Sequence, residues 1–384
     1  MKLEALQAKD GDCLLLHYDS AAKPGLILID GGSKGVYREV LEKRLNQLKG
    51  SRSSLDLRMV IISHIDADHI TGILDMFRQM KNQKENGESY PWKVKSLWHN
   101  AFEKMVGRHR AAPQSPTIAA ASSGAADLPT LIASGMSDEK AIAVVASVQQ
   151  GKDLQRFATG LTTINAETSG QLIVAPETGR KEIKIDGSLT FTILGPSQAE
   201  LDDLENEWNE SQSGREKAGH DAVAADYLNR TVPNLSSIVF LAEERKQGKP
   251  VRMLLTGDAG GDLILKRLEA AKLLDKEGRI TLDVLKVQHH GSMHSVEQSF
   301  FEKVRAKSYV ISGNGAHGIP NIEVLQWISE ARQKDAIEVY MTNRKLRDPR
   351  TGEYTPQLNK FLNKKPAKHR YHFRENDALS VTVA

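Results

Sequence analysis

Thiols are almost missing from this chain: among its 384 residues, Cys13 is the only cysteine. No internal disulfide can form, and a thiolate cage for zinc lacks its ligands, so any metal must be held by imidazole and carboxylate. Cys13 itself reads as a small core residue. Long apolar runs are also missing. Nothing approaches the roughly 18 residues of a membrane span, and the start, "MKLEALQAKDGD", has no basic leader ahead of an apolar core. The expectation is a cytoplasmic protein without a membrane partner. The chain contains no G-x-x-x-x-G-K-[ST] and no C-x-x-C, which removes the NTPase and thiol-redox readings.

What is present is enough apolar material, 40% of residues, to bury one large core. A net charge of +3 is too small to declare a partner, but charge is unevenly spread. Residues 200–210, "ELDDLENEWNE", are acidic. Between 342 and 374, Arg344, Lys345, Arg347, Arg350, Lys360, Lys364, Lys365, Lys368, Arg370 and Arg374 face only Asp348 and Glu353. Such a run is a solvated surface or a polyanion-binding face.

Apolar, β-branched runs at "CLLLHY", "GLILID", "RMVIISH", "VKSLWHN", "LTFTIL", "SSIVFLA", "VRMLLTGD", "DVLKVQHH", "KSYVISG" and "IEVYMT" predict strands. Helical spacing at "REVLEKRLNQL", "HITGILDMFRQM", "GDLILKRLEAAKLL" and "EVLQWISEAR" makes the chain mixed α/β. Residues 104–180 interrupt this rhythm with Ala, Ser, Gly and Pro, then a helical stretch. We read one domain over 1–384 with a largely helical cap or lid inserted at 104–180.

Four strands end on a metal-compatible residue: Asp30 after "LILI", His64 after "MVIIS", Asp258 after "RMLLTG" and His289 after "VLKVQ". In open α/β sheets ligands bind beyond the carboxyl ends of strands, so points distant in sequence can converge. Within His64-Ile65-Asp66-Ala67-Asp68-His69, residues two apart project to one side of an extended chain. His64 and Asp66 can therefore share one cation, while Asp68 and His69, on the turn into the next helix, address another. A polar turn with Asp68 as helix N-cap would explain only one of these side chains.

With "SHIDADHITG", "LLTGDAGG" and "KVQHHGSMHS", the sequence resembles the metallo-β-lactamase superfamily of hydrolases. It looks most like the branch holding the hydrolase domain of DNA-uptake competence proteins and the phosphorylcholine esterases. That branch carries a similar "GD" near the start, "S-S-I-V" before "L-L-T-G-D", and a Gly-His-x-x-Pro-like element, here His317 to Pro320. The resemblance covers 1–75 and roughly 185–330. It implies a four-layer αββα sandwich and two divalent cations, zinc or manganese, held by His64, Asp66, Asp68, His69, Asp258 and His289, with Asp258 as the bridge. Asp66 stands where the commoner motif has His, and Asn234 where many members carry another. That makes the first site poorer in imidazole and richer in oxygen, so magnesium joins the candidates.

Asp68, His290 and His317 are the candidate catalytic residues; of the His pair, His289 directly follows its strand and is preferred as ligand, although the two can exchange roles. Asp30 is expected to support ligands by hydrogen bonding. His99 is a candidate extra ligand, Ser292 a candidate anion contact, and His17 and His294 read as structural and exposed. The expected activity is hydrolysis of a phosphodiester, nucleic acid first, by a hydroxide bridging two cations about 3.5 to 4 Å apart. The alternatives are a small phosphodiester substrate, or a metal-stabilised module of a multi-protein assembly with little activity alone.

Overall fold

The computed structural model describes residues 1–19, 24–105, 138–212, 234–245, 248–315, 317–345, 354–376 and 378–383. Its strands in chain order are β1 (Lys2–Leu6), β2 (Leu14–Asp19), β3 (Pro24–Ile29), β4 (Leu55–Leu57), β5 (Met59–Ile61), β6 (Trp92–Val94), β7 (Ser96–Trp98), β8 (Thr163–Ile164) and β9 (Lys181–Asp186). They continue with β10 (Leu189–Gly195), β11 (Val239–Glu244), β12 (Val251–Leu255), β13 (Ile280–Lys286), β14 (Val304–Ile311), β15 (Ile337–Met341), β16 (His369–Phe373) and β17 (Ala378–Thr382). One sheet runs β17-β1-β2-β3-β5-β7-β8 and the other β16-β15-β14-β13-β12-β11-β10-β9, with β4 and β6 as a separate pair.

Each sheet is half antiparallel and half parallel. From β3 through β5 and β7 to β8 every pairing is parallel, as is every pairing from β12 to β16. Parallel strands need crossovers, and these supply the outer helices. Residues alternate between faces along a strand. In β3, Ile27 and Ile29 enter the core between the sheets, whereas Leu26 and Leu28 join the cluster under the helices. The inter-sheet core joins Leu3, Leu16, Ile27 and Met59 to Phe191, Phe240, Met253 and Val284. Trp98 lies edge-on to Phe191 and Phe240, with ring centroids 5.8 and 6.3 Å away. A second cluster packs Ile70, Ile73 and Phe77, from helix Ala67–Glu85, on the outer face of the first sheet, and a third packs Phe300, Leu325 and Ile328 on the other. The result is the expected helix-sheet-sheet-helix sandwich.

The expected insertion divides in two. Residues 106–137 lie outside the described residues. Helix Asp138–Ala158 follows, with Val148, Leu154 and Ala158 buried in the same cluster as Ile70 and Phe77. β8 then extends the first sheet, Glu167 pairs with Arg58 at 2.8 Å, and Asn100 exchanges two hydrogen bonds with the backbone of Ile173. Within 138–175 the chain is built into the sandwich. No described helix is long and apolar enough to cross a membrane.

Candidate metal centre

β3 and β5 are parallel neighbours, so Asp30 and Ser63 leave the sheet side by side. Asp30 accepts hydrogen bonds from the Ser63 amide at 2.8 Å, from Ser63 Oγ at 2.7 Å and from His69 Nδ1 at 2.9 Å. Helix Ala67–Glu85 begins at once, with Asp66 as its N-cap residue. Asp68 and His69 thus stand in the first helical turn instead of on a turn before it. The helix reaches Asp30 because Gly72 and Gly31 touch: a Cβ on Gly72 would lie 2.0 Å from Gly31 O. The Gly31 amide in turn donates to His69 O at 2.7 Å.

The opposite wall comes from the other sheet. Asp258 follows β12, and His289 and His290 follow β13. Both histidines take left-handed backbone, φ 46° and 52°, as does Asp30 at φ 56°. Such conformations cost about 1–3 kcal/mol each and persist where surrounding structure enforces them. Here they turn both rings of the His pair onto Asp258. The sequence reading favours His289 as ligand because it leaves the strand first. In the structure His290 is buried at 1% exposure, whereas the His289 side chain keeps 26%.

Every ring has its Nδ1 anchored by an oxygen: His64 on Ser63 Oγ at 3.0 Å, His69 on Asp30, His289 on Ser295 Oγ at 2.6 Å and His290 on Ser312 Oγ at 2.8 Å. Every Nε2 faces one buried volume around Asp258. On one side, His64 Nε2 is 3.6 Å from Asp66 Oδ2, and both His64 and His289 lie 3.8 Å from Asp258 Oδ2. On the other, His69 Nε2 is 3.4 Å from Asp258 Oδ1, 3.7 Å from Asp68 Oδ2 and 3.2 Å from His290 Nε2. His290 Nε2 in turn is 3.4 Å from Asp68 Oδ2 and 3.6 Å from Asp258 Oδ2.

This arrangement fits divalent cations. Two ring nitrogens 3.2 Å apart with carboxylates between them leave lone pairs facing one another. His64 Nε2 and Asp258 Oδ1 are buried without any hydrogen bond, which is costly unless something binds there. Ligand atoms about 2.0–2.1 Å from a tetrahedral zinc stand about 3.3–3.4 Å from one another, close to the spacings on the Asp68 side. Asp12, His69, Asp258 and His290 each bring a ligand-type atom within 4.8 Å of the others.

The charges are strongly coupled. Burial alone would raise the Asp258 carboxyl, but His69, His290 and His289 hold it well below the usual range. Burial would likewise depress His69, yet Asp258, Asp68 and Asp30 keep it well above the ordinary imidazole value. His290 is opposed by burial and lifted to about 9 by Asp258 and Asp12. The pocket therefore demands positive charge close to Asp258.

The remaining candidates lie apart from this cluster. His317 is exposed, with Nε2 3.5 Å from Asp10 Oδ2, and Asp10 adjoins Gly11, where a Cβ would fall 1.7 Å from Asp68 O, which puts the pair at the mouth. His99 is buried against helix Asp138–Ala158, where a Cβ on Gly151 would touch its ring at 3.6 Å, and burial pushes it down to about 4. Asn234 lines a small cavity with Glu200, Ser237 and Arg267. Ser292 is buried, and its Oγ accepts from the His294 amide. Half-buried His17 pairs through Nε2 with Glu4 at 3.2 Å. Asp12, Ser63, Ser295 and Ser312 are the residues that sequence reasoning missed; only the "GD" near the start drew attention to Asp12.

The basic run separates along β16. Because β15 and β16 are parallel, Arg344, Lys345 and Arg374 emerge at the strand ends that carry the site, whereas Lys364, Lys365 and Lys368 precede β16 at the opposite edge. Asn343 donates to Gly313 O at 2.7 Å, and a Cβ on Gly313 would be 3.4 Å from His290 Cβ. Arg344 and Lys345 are thus exposed a short step from the centre.

No protein-family model matches the chain, and no curated protein matches it. Among solved structures it is similar to MEM-A1, a subclass B3 metallo-β-lactamase isolated from a soil metagenome library, at 12% identity and a TM-score of 0.29, covering 75% of this chain and 80% of that one. It is also similar to the metallo-β-lactamase GOB-18 from Elizabethkingia meningoseptica, at 13% identity and a TM-score of 0.29 over 72% and 69% of the two chains. The metallo-β-lactamase SMB-1, bound to 2-mercaptoethanesulfonate, gives 13% identity and a TM-score of 0.30 over 75% and 81%. The sandwich and its buried centre rest on this chain's own strand pairing and side-chain geometry.

Proposed function

We propose that the chain is a divalent-metal-dependent hydrolase of phosphodiesters, with nucleic acid the first substrate to test. The observation that carries this reading is the convergence of four imidazole Nε2 atoms on one buried carboxylate, Asp258, with every Nδ1 already engaged. His64, Asp66 and His289 would hold one cation and Asp68, His69 and His290 a second, with Asp258 shared. His289 then supplies the imidazole that Asp66 and Asn234 withhold from the first site. Nitrogen and oxygen donors without sulfur suit zinc or manganese.

Divalent cations supply Lewis acidity, lowering the pKa of water and neutralising charge on a phosphoryl group. The protein's part is orientation and proton handling. Asp30 and Ser63 hold His69 and His64 in register. His317, whose bond to Asp10 raises it above the ordinary imidazole value, is the exposed group we assign to pass a proton to a leaving oxygen. The phosphodiester assignment draws on the motif resemblance and on Arg344 and Lys345 beside the centre.

The deciding experiment is a turnover screen with zinc, manganese or magnesium on plasmid, single-stranded DNA, RNA and bis-nitrophenyl phosphate, repeated with Asp258→Ala. Turnover that requires added metal and vanishes in the variant supports the proposal. Full metal occupancy with no turnover of any substrate would replace it with a metal-stabilised interaction module. A second reading, a small phosphodiester, is favoured by the position of Lys364, Lys365 and Lys368 away from the site; bis-nitrophenyl phosphate as sole substrate would select it.

A further inference from the structure

We propose that Asp12 is a positioning residue for His290, acting through Ser312, and that Lys286 sets the direction of the hydrogen bonds joining them. Its consequence for metal rests on the two-cation reading above; its hydrogen-bond logic does not.

Asp12 sits in the β1–β2 connection, 1% exposed. Its approach to the centre depends on Gly11, where a Cβ would fall 1.7 Å from Asp68 O. One carboxylate oxygen, Oδ2, receives Lys286 Nζ at 2.8 Å; the other, Oδ1, receives Ser312 Oγ–H. Lys286 is itself 1% exposed and also donates to Val287 O at 3.0 Å. Ser312 Oγ is 2.8 Å from His290 Nδ1.

The inventory of protons permits one arrangement. An ammonium only donates and an ionised carboxylate only accepts, so Lys286 keeps Asp12 as an acceptor. Ser312 has a single hydrogen, and Asp12 takes it. Toward His290 the serine can then offer only a lone pair, so Nδ1 must carry hydrogen. The neutral ring is left with its own lone pair on Nε2, the atom facing Asp68, His69 and Asp258. With both oxygens occupied, Asp12 acts on the centre through His290 and does not bind the cation itself. The His69 ring is treated in parallel by Asp30, so the first sheet supplies both buried carboxylates, each orienting one ring of the same half-site.

Asp12→Asn should reverse the direction. Its carbonyl oxygen turns to Lys286 and its amide donates to Ser312, which must then donate to His290 Nδ1. The test is imidazole ¹⁵N spectroscopy on histidine-labelled, chelator-treated full-length protein, carried to alkaline pH until the ring signals stop shifting. Wild type should show hydrogen on Nδ1, Asp12→Asn hydrogen on Nε2, and Ser312→Ala a mixture; this last variant keeps the Asp12–Lys286 pair and so guards against misfolding. Zinc affinity by chelator competition should fall about 10- to 100-fold in both variants with the number of bound ions unchanged. An Nε2–H ring in wild type, or an unchanged tautomer in Asp12→Asn, overturns the proposal. Loss of one whole ion in Asp12→Asn overturns it in favour of Asp12 as a ligand. Absence of zinc binding by wild type would fail the functional reading while leaving the tautomer result to judge Asp12.

Discussion

Asp258 touches both halves of the centre, so its removal differs in kind from removal of a single ring. Asp258→Ala is expected to lose most bound metal and all measurable turnover while remaining folded; metal analysis beside an activity assay checks this, and near-normal turnover would rule out a shared carboxylate. Asp30→Asn should act more gently, weakening metal affinity about 10- to 100-fold through a misdirected His69, and chelator competition reads that directly. The strand-end rule made Asp30, His64, Asp258 and His289 legible, because an apolar run stopping at a polar residue is visible in one line of sequence. The hydroxyl anchors were not legible. Ser63, Ser295 and Ser312 are ordinary residues of turns, and only folding shows which nitrogen each one meets. His290 over His289 as the deeper ring was invisible for a similar reason, since it depends on a left-handed backbone that no spacing announces.

Strand direction is what reassigned the basic run. "HRYHF" lies within it and becomes β16, an edge strand whose two ends face different partners, and a count of charges along the chain cannot register that. Substituting Lys364, Lys365 and Lys368 by Ala is therefore expected to leave the salt dependence of nucleic-acid binding unchanged. Replacing Arg344 and Lys345 should reduce the slope of log affinity against log salt by up to nearly two units; titrations at several salt concentrations separate the cases. Equal effects from both sets would remove the distinction drawn from the parallel β15–β16 pairing. The helix Asp138–Ala158 carries a second expectation at this level. Leu154 is fully buried beneath it, so Leu154→Ala should cost about 2–5 kcal/mol in denaturant unfolding. A negligible loss would mean that the helix only rests on the surface.

Across the molecule, apolar runs and helical spacing were enough to mark a mixed α/β chain; the two packed sheets were implied only by the motif resemblance, and β1, β4, β6, β8, β9, β16 and β17 were not read as strands. Stability is also tied to charge far from the centre. Glu4 on β1 is buried; burial would raise its carboxyl, but His17, Arg44 and Lys2 hold it far below the usual carboxylate range. Since a depressed carboxyl contributes stability above its unfolded pKa and loses it as acid protonates the folded form, wild type should weaken progressively below about pH 4.3. Glu4→Gln should be less stable by about 1–3 kcal/mol at neutral pH, with the gap closing in acid; denaturation curves at both ends of that range test it, and a constant gap would refute the linkage. Because both sheets supply ligands, chelation should also lower the melting temperature, and metal at about 100 times its dissociation constant should add about 2.7 kcal/mol.

The contact between Asp12 and Ser312 joins residues 300 positions apart, and its consequence is one of time. At about 5–20 residues per second, roughly 15–60 s of synthesis separate the two. For most of that interval His64, Asp66, Asp68 and His69 have been made without Asp258 or the His pair to complete a pocket. Any ion they meet is held by a flexible peptide and readily lost. Loading of the centre therefore waits until Asp258, the His pair and Ser312 have been made, and is governed by whichever metal is available then.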